Sequence, residues 1–119
     1  MKNSLIEYCL NKNGAFLDYP FGPDPMVFKV AGKMFAFIFE KDENVVCINL
    51  KCDPAIAENL REQHEAVRPG YHMNKEHWNT VMIDGSLEES DVFDMIDHSY
   101  DLVVKKLPKR LRESIPQLN

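Results

Sequence analysis

Twelve consecutive residues, Arg68-Pro-Gly-Tyr-His-Met-Asn-Lys-Glu-His-Trp-Asn79, hold the densest set of groups in this chain that could do chemistry. Two histidines, two asparagines, a tyrosine and the single tryptophan stand there beside a proline-glycine turn. Cations such as Arg68 and Lys75 hold phosphate, asparagine reads adenine edges, and Tyr71 and Trp78 can stack on exposed bases. The same string can instead build a corner, with Trp78 and Tyr71 filling the core and Asn74 capping a turn.

A second group lies near the C-terminus. Lys105, Lys106, Lys109, Arg110 and Arg112 are five bases with no acid among them, and they follow six acids with no Lys or Arg between Glu88 and Asp101. The bases suit phosphate contacts. They also suit the end of a helix whose first turns are acidic, because that order matches the helix macrodipole.

Other chemistries lack their residues. His72 and His77 are five apart, not the four of a helical metal pair, and no zinc spacing is present, so no metal or other cofactor is expected. There is no G-x-S-x-G elbow and neither phosphate-loop pattern. Ser4 and Ser86 are each followed by a glutamate three residues on and read as helix caps. Cys9, Cys47 and Cys52 fit buried free thiols. A non-enzymatic protein is expected.

A chain of 119 residues fits one domain, here 1–119 with a frayed tail from 115 to 119. Apolar residues make up 45%, no apolar run is long enough for a membrane span, and the start lacks a signal-peptide core, so a cytoplasmic protein is expected. The net charge of -5 argues against indiscriminate binding to phosphate backbones.

Several elements must position these groups. A first helix opens at Ser4-Leu-Ile-Glu7, carries Leu5, Ile6, Cys9 and Leu10 on one stripe, and stops at Asn13-Gly14. Three prolines between Asp18 and Pro25 forbid regular structure, and Tyr19 and Phe21 are expected to pin that loop to the core. Strands follow over Met26–Val30 and Met34–Glu40, joined by Ala31-Gly32. Phe35, Phe37 and Phe39 are expected to share one buried face. A polar turn at 41–44 leads to a strand over Val45–Lys51. Asp53-Pro54 opens a second helix, with Ile56, Ala57 and Leu60 inward. After the Pro69-Gly70 turn and a turn capped by Asn74, Trp78–Asp84 is a strand, with Val81 and Ile83 on one face and Trp78, Thr80 and Met82 on the other. A capping box at Ser86–Glu89 opens the last helix, which buries Val92, Phe93, Ile96, Tyr100, Val103, Val104 and Leu107 and ends at Pro108. The order α-β-β-β-α-β(β)-α with short turns is an α+β fold: an antiparallel sheet with flanking helices.

The strings Tyr19-Pro-Phe-Gly22, Asn49-Leu-Lys-Cys-Asp-Pro54, Arg68-Pro-Gly-Tyr-His-Met-Asn-Lys75, His77-Trp-Asn-Thr80, Asp84-Gly-Ser86 and Leu107-Pro-Lys109 resemble the MmcQ/YjbR family, in order and over nearly the whole chain. The resemblance implies a CyaY-like (frataxin-like) α+β domain. It also implies DNA binding, partly through a proposed double-wing arrangement, and it implies no catalytic residue, metal or cofactor.

Two functional expectations follow. In the first, the protein binds DNA: Lys75, Lys105, Lys106, Lys109, Arg110 and Arg112 contact phosphate, and His72, Asn74, His77 and Asn79 contact bases or shape. In the second, Lys51, Arg68, Tyr71, His72, Lys75, His77, Trp78 and Asn79 line a cleft for a small anionic ligand or a protein partner.

Overall fold

The computed structural model describes residues 1–41 and 45–116. Its elements are α1 (Lys2–Leu10), β1 (Ala15–Asp18), β2 (Met26–Val30), β3 (Lys33–Lys41), β4 (Val45–Lys51), α2 (Pro54–Gln63), β5 (Val67–Pro69), β6 (Trp78–Met82), α3 (Glu89–Lys105) and α4 (Lys109–Glu113). All strand pairs are antiparallel, in the order β1-β2-β3-β4-β6-β5. The expected α+β architecture with an antiparallel sheet and flanking helices is what the chain adopts.

Pleating sorts the strand residues onto two faces. Phe28, Ala36, Ile38, Ile48, Leu50 and Val81 meet Leu5 and Cys9 of α1 and Val92, Ile96 and Val103 of α3, forming the main core. Val27, Phe37 and Trp78 form a smaller cluster with Met34 and Met73 on the opposite face. Ala31 and Gly32, with φ of 49° and 80°, make the two-residue turn between β2 and β3. Left-handed values at both positions match the twist of the flanking strands.

The phenylalanine stripe is broken. Phe28 pairs with Ala36 but Lys29 pairs with Met34, which leaves Phe35 as an extra residue on β3. A bulge of one residue reverses the side-chain alternation. Phe35 therefore joins Ala36 on the helix side and meets Tyr100 edge-on at 5.4 Å, while Phe37 and Phe39 stay on the other face.

Other expectations are corrected by tertiary contacts. Helix α1 begins at Lys2, so Ser4 sits inside it; the Ser4 hydroxyl donates to the Met1 carbonyl at 2.8 Å and to Glu89 at 2.6 Å, tying α1 to α3. Ser86 likewise does not cap α3, which opens after Glu88, because its hydroxyl donates to Asp84 at 2.6 Å. Ala15–Asp18 is an edge strand completed by β2, so regular structure reaches Asp18, the first residue of the stretch expected to be irregular. Tyr19 and Phe21 do not pin their loop, being 48% and 64% exposed. Ile56 is also exposed, whereas Ala57 is fully buried. Beyond Pro108 the chain makes the short helix α4, and Ile115 is buried in the core. The polar turn expected at 41–44 falls on 42–44, and the end of the expected tail on 117–119; both lie outside the described residues. Asp53 caps α2 as expected, accepting from the Ala55 and Ile56 amides at 3.0 and 3.4 Å.

Burial governs the thiols. It pushes Cys9 up to about 12, and burial together with the neighbouring Asp53 carboxylate pushes Cys52 up to about 11. Thiolate is the reactive form. Native protein at neutral pH should therefore resist an aromatic disulfide reagent for hours, and denaturant should release all three cysteines. Rapid labelling of the native chain contradicts this reading.

Candidate functional site

The strand pairing divides the Arg68–Asn79 segment between the two faces of the sheet. Asn79 pairs with Leu50 and faces the helices, where its Oδ1 accepts from Arg61 Nε at 2.7 Å. Trp78 and Thr80 point the other way. Trp78 is 9% exposed and packs edge-to-face on Phe37 at 5.5 Å. Arg61 Nη2 also donates to the carbonyls of Trp78, at 3.2 Å, and of Lys75, so α2 clamps the end of the segment. Asn74 accepts from the Glu76 and His77 amides at 2.9 and 3.2 Å, the capping role anticipated. Lys75 Nζ donates back to the Gly70 carbonyl at 2.9 Å. Arg68 is exposed on β5, and its Nε donates to the Glu65 carbonyl at 3.2 Å. His77 is half-buried, and its carbonyl accepts from the Cys52 amide at 2.8 Å.

Tyr71 is held by its backbone. Its amide donates to Thr80 Oγ1 at 2.8 Å, its carbonyl accepts from Asn49 Nδ2 at 3.1 Å, and the Thr80 hydroxyl donates to Asn49 Oδ1. Asn49 and Thr80 are buried polar residues whose groups this network satisfies. His72 follows with φ of 58°, a left-handed value rare for a non-glycine residue. The result is an exposed ring pair, Tyr71 and His72, with centroids 4.0 Å apart. Tyr71 also stacks on Phe39 at 6.1 Å, and Lys41 Nζ lies 4.6 Å from its centroid. These rings border a cleft of about 500 Å³ on the face away from the helices.

The second cleft, of about 420 Å³, opens on the helix side between α2 and α3 and includes Lys51, Asn79, His64 and His98. The residues expected to share one cleft therefore do not. Tyr71 and His72 border the first, Lys51 and Asn79 the second, and Trp78 lies in a packed cluster.

The sequence left two determinants unmarked. Ser99 is fully buried on the apolar face of α3; it donates to the Phe35 carbonyl at 2.6 Å and accepts from the Lys51 amide at 2.9 Å. The β3–β4 ladder stops at Ala36 and Leu50, so Ser99 satisfies the groups next in line. It thereby fixes the backbone of Lys51. Lys33 is the other: it stands near Lys51, as does Lys106 beyond α3. Burial first, then the Lys106 and Lys33 charges, hold the Lys51 ammonium below the usual lysine range. A polar residue within an apolar stripe was the available signal for Ser99; Lys33 had none before the strands were paired.

Lys105, Lys106, Lys109, Arg110 and Arg112 are all exposed at the end of α3 and along α4. Among the described residues, the only ion pair they make is Lys109 with Glu113, at 3.8 Å on the surface. No group of three or more potential metal-ligating side chains gathers among the described residues. None of their helices is long and apolar enough to cross a membrane.

A two-layer α+β domain, with its helices on one face of an antiparallel sheet and an aromatic cleft on the other, is the class this fold and site define. The chain belongs to the YjbR family, whose model matches residues 10–102. It is 40% identical over 116 residues to YjbR of Escherichia coli (strain K12), covering 98% of both chains. It is 42% identical over 94 residues to YbdF of Escherichia coli O157:H7, covering 79% of this chain and 76% of that one. The crystal structure of Deinococcus radiodurans protein DR2400, of domain type DUF419, matches with a TM-score of 0.86 and 32% identity, over 95% of this chain and 86% of that one.

Proposed function

We propose that this protein is a non-enzymatic, cytoplasmic DNA-binding protein that holds the phosphate backbone at its basic end. The observation that supports the reading is that Lys33 of β3 and Lys106, just past α3, both bring their charges to bear on Lys51 of β4. Helix polarity accounts for Lys105 and Lys106 at the end of α3. It does not account for Lys33 and Lys51, which the sheet brings to the same end. Like charges held together repel, and no carboxylate pairs with these three among the described residues. A phosphate backbone would relieve that repulsion, and the exposed cations of 105–112 extend the same surface.

The reading drops Asn79 and Lys75 as contacts, since Arg61 and the Gly70 carbonyl engage them. Contact through phosphate makes binding tolerant of sequence and steep in salt. Fluorescence anisotropy with duplex and single-stranded DNA is the test. With three phosphates neutralised, a fourfold rise in salt weakens duplex binding by roughly 40-fold. A dissociation constant weaker than about 10⁻⁴ M at low salt would sink the proposal.

The half-buried, charge-crowded Lys51 also favours a second reading, in which a small anionic metabolite binds the same three lysines. Thermal stabilisation by such an anion, with no DNA binding at low salt, selects it.

A further inference from the structure

The cleft on the face away from the helices is not used by the DNA-binding reading, and its composition is unlike that of the basic end. Four rings, those of Phe21, Phe37, Phe39 and Tyr71, contribute to its walls. Its charged lining is acidic: Asp24 and Glu40 stand there with no Lys or Arg, and His72 is the sole other titratable group besides Tyr71. Glu40 shares one oxygen with Lys2 at 3.0 Å, while Asp24 makes no ion pair or hydrogen bond among the described residues. Its volume of about 500 Å³ suits a single small molecule.

Aromatic walls beside the one uncompensated carboxylate, Asp24, are complementary to one kind of solute. The ring quadrupole attracts a cation to the ring face, and the Asp24 carboxylate adds attraction while disfavouring anions. The Tyr71 ring attracts a cation in this fold, with Lys41 Nζ 4.6 Å from its centroid and outside the cleft lining, and a ligand ammonium must compete with that side chain for the ring. We propose that this cleft binds a small organic ammonium ion, a quaternary or protonated amine of roughly the size of choline, seated against Tyr71 and Phe39 and facing Asp24. The buried Asn49–Thr80 network fixes Tyr71 in advance, so binding requires little ordering of the wall.

Titration calorimetry on the full chain tests this with choline and its uncharged isostere 3,3-dimethylbutan-1-ol. Choline should bind about fivefold or more tightly than the isostere, the gain that a cation makes over an aromatic face. Asp24→Asn and Tyr71→Leu should each weaken choline binding by about fivefold, while Ser90→Ala, at an exposed position on α3, leaves it unchanged. Because Asp24 is exposed, its variant keeps the test valid even if Tyr71→Leu fails to fold. Equal affinity for choline and the isostere, no choline binding at about 10 mM, or an unaffected Asp24→Asn variant overturns the proposal. A trimethyl-lysine peptide binding more than about tenfold tighter than choline overturns the choice of a free solute. Loss of the DNA-binding reading would leave this site untouched, since none of the lysines and arginines proposed to hold phosphate lines it.

Discussion

Replacing Gly70 by alanine should destabilise the protein by about 2–3 kcal/mol, the cost of forcing a side chain into filled space. A Cβ at this position would lie 2.7 Å from Trp78 Cβ, 2.9 Å from the Trp78 carbonyl oxygen and 3.1 Å from Met73 Cβ. The first two are atoms of a paired strand and its buried tryptophan, and neither can swing aside. The Gly70 amide also donates to that same Trp78 carbonyl at 2.8 Å, so retreat breaks a hydrogen bond. The need for glycine is one of close approach. Chemical denaturation should show a lower midpoint with an unchanged slope, and the Tyr71 and His72 resonances should move with it. A midpoint equal to that of the parent protein contradicts the packing described for Gly70 and Trp78.

Ser99→Ala should cost about 2–4 kcal/mol, because two buried backbone groups lose their partner at once. The Phe35 carbonyl belongs to the bulged residue of β3, and the Lys51 amide lies just past the end of the β3–β4 ladder. No neighbouring strand can take over either bond, and the site is fully buried, which excludes water as a ready substitute. Ser90→Ala, at an exposed position one residue into α3, is the control and should change stability by less than about 0.5 kcal/mol. Equal denaturation midpoints for the two variants would show that Ser99 does not bridge the strands. Because Lys51 depends on this bond for its position, Ser99→Ala should also weaken binding at the basic end.

Much of the fold was legible because local chemistry decides it. The Asp53-Pro54 start of α2, the Ala31-Gly32 turn and the strands over Met26–Val30 and Val45–Lys51 need only capping, turn geometry and alternation. The misread features are decided by partners distant in sequence. Alternation through Phe35 fails because β2 and β3 differ by one residue in register, which no count along β3 alone reveals. Ser4 has a glutamate in the capping position, yet Glu89 from another helix takes its hydroxyl. Tyr19 and Phe21 look like anchors by type, but their loop leaves them exposed.

The candidate site was legible in part for the same reason. Asn74 caps within its own neighbourhood as expected, whereas the turn expected at Pro69-Gly70 lies over Gly70–Met73, because Pro69 is paired with Asn79 in β5. Trp78 and Asn79 are adjacent in sequence and therefore on opposite faces of β6, so a single recognition surface cannot contain both side chains. Lys33, Lys51 and Lys106 are remote in sequence and meet only once the sheet and α3 are assembled.

The claim that these three lysines hold phosphate is tested most directly by the salt dependence of duplex binding in a Lys33→Ala, Lys51→Ala, Lys106→Ala triple variant. The slope of log affinity against log salt should become shallower by about 2–3 relative to the parent protein, with binding at low salt reduced at least roughly tenfold. An unchanged slope and affinity in a variant that remains folded would contradict the assignment of the binding surface to this end of the sheet.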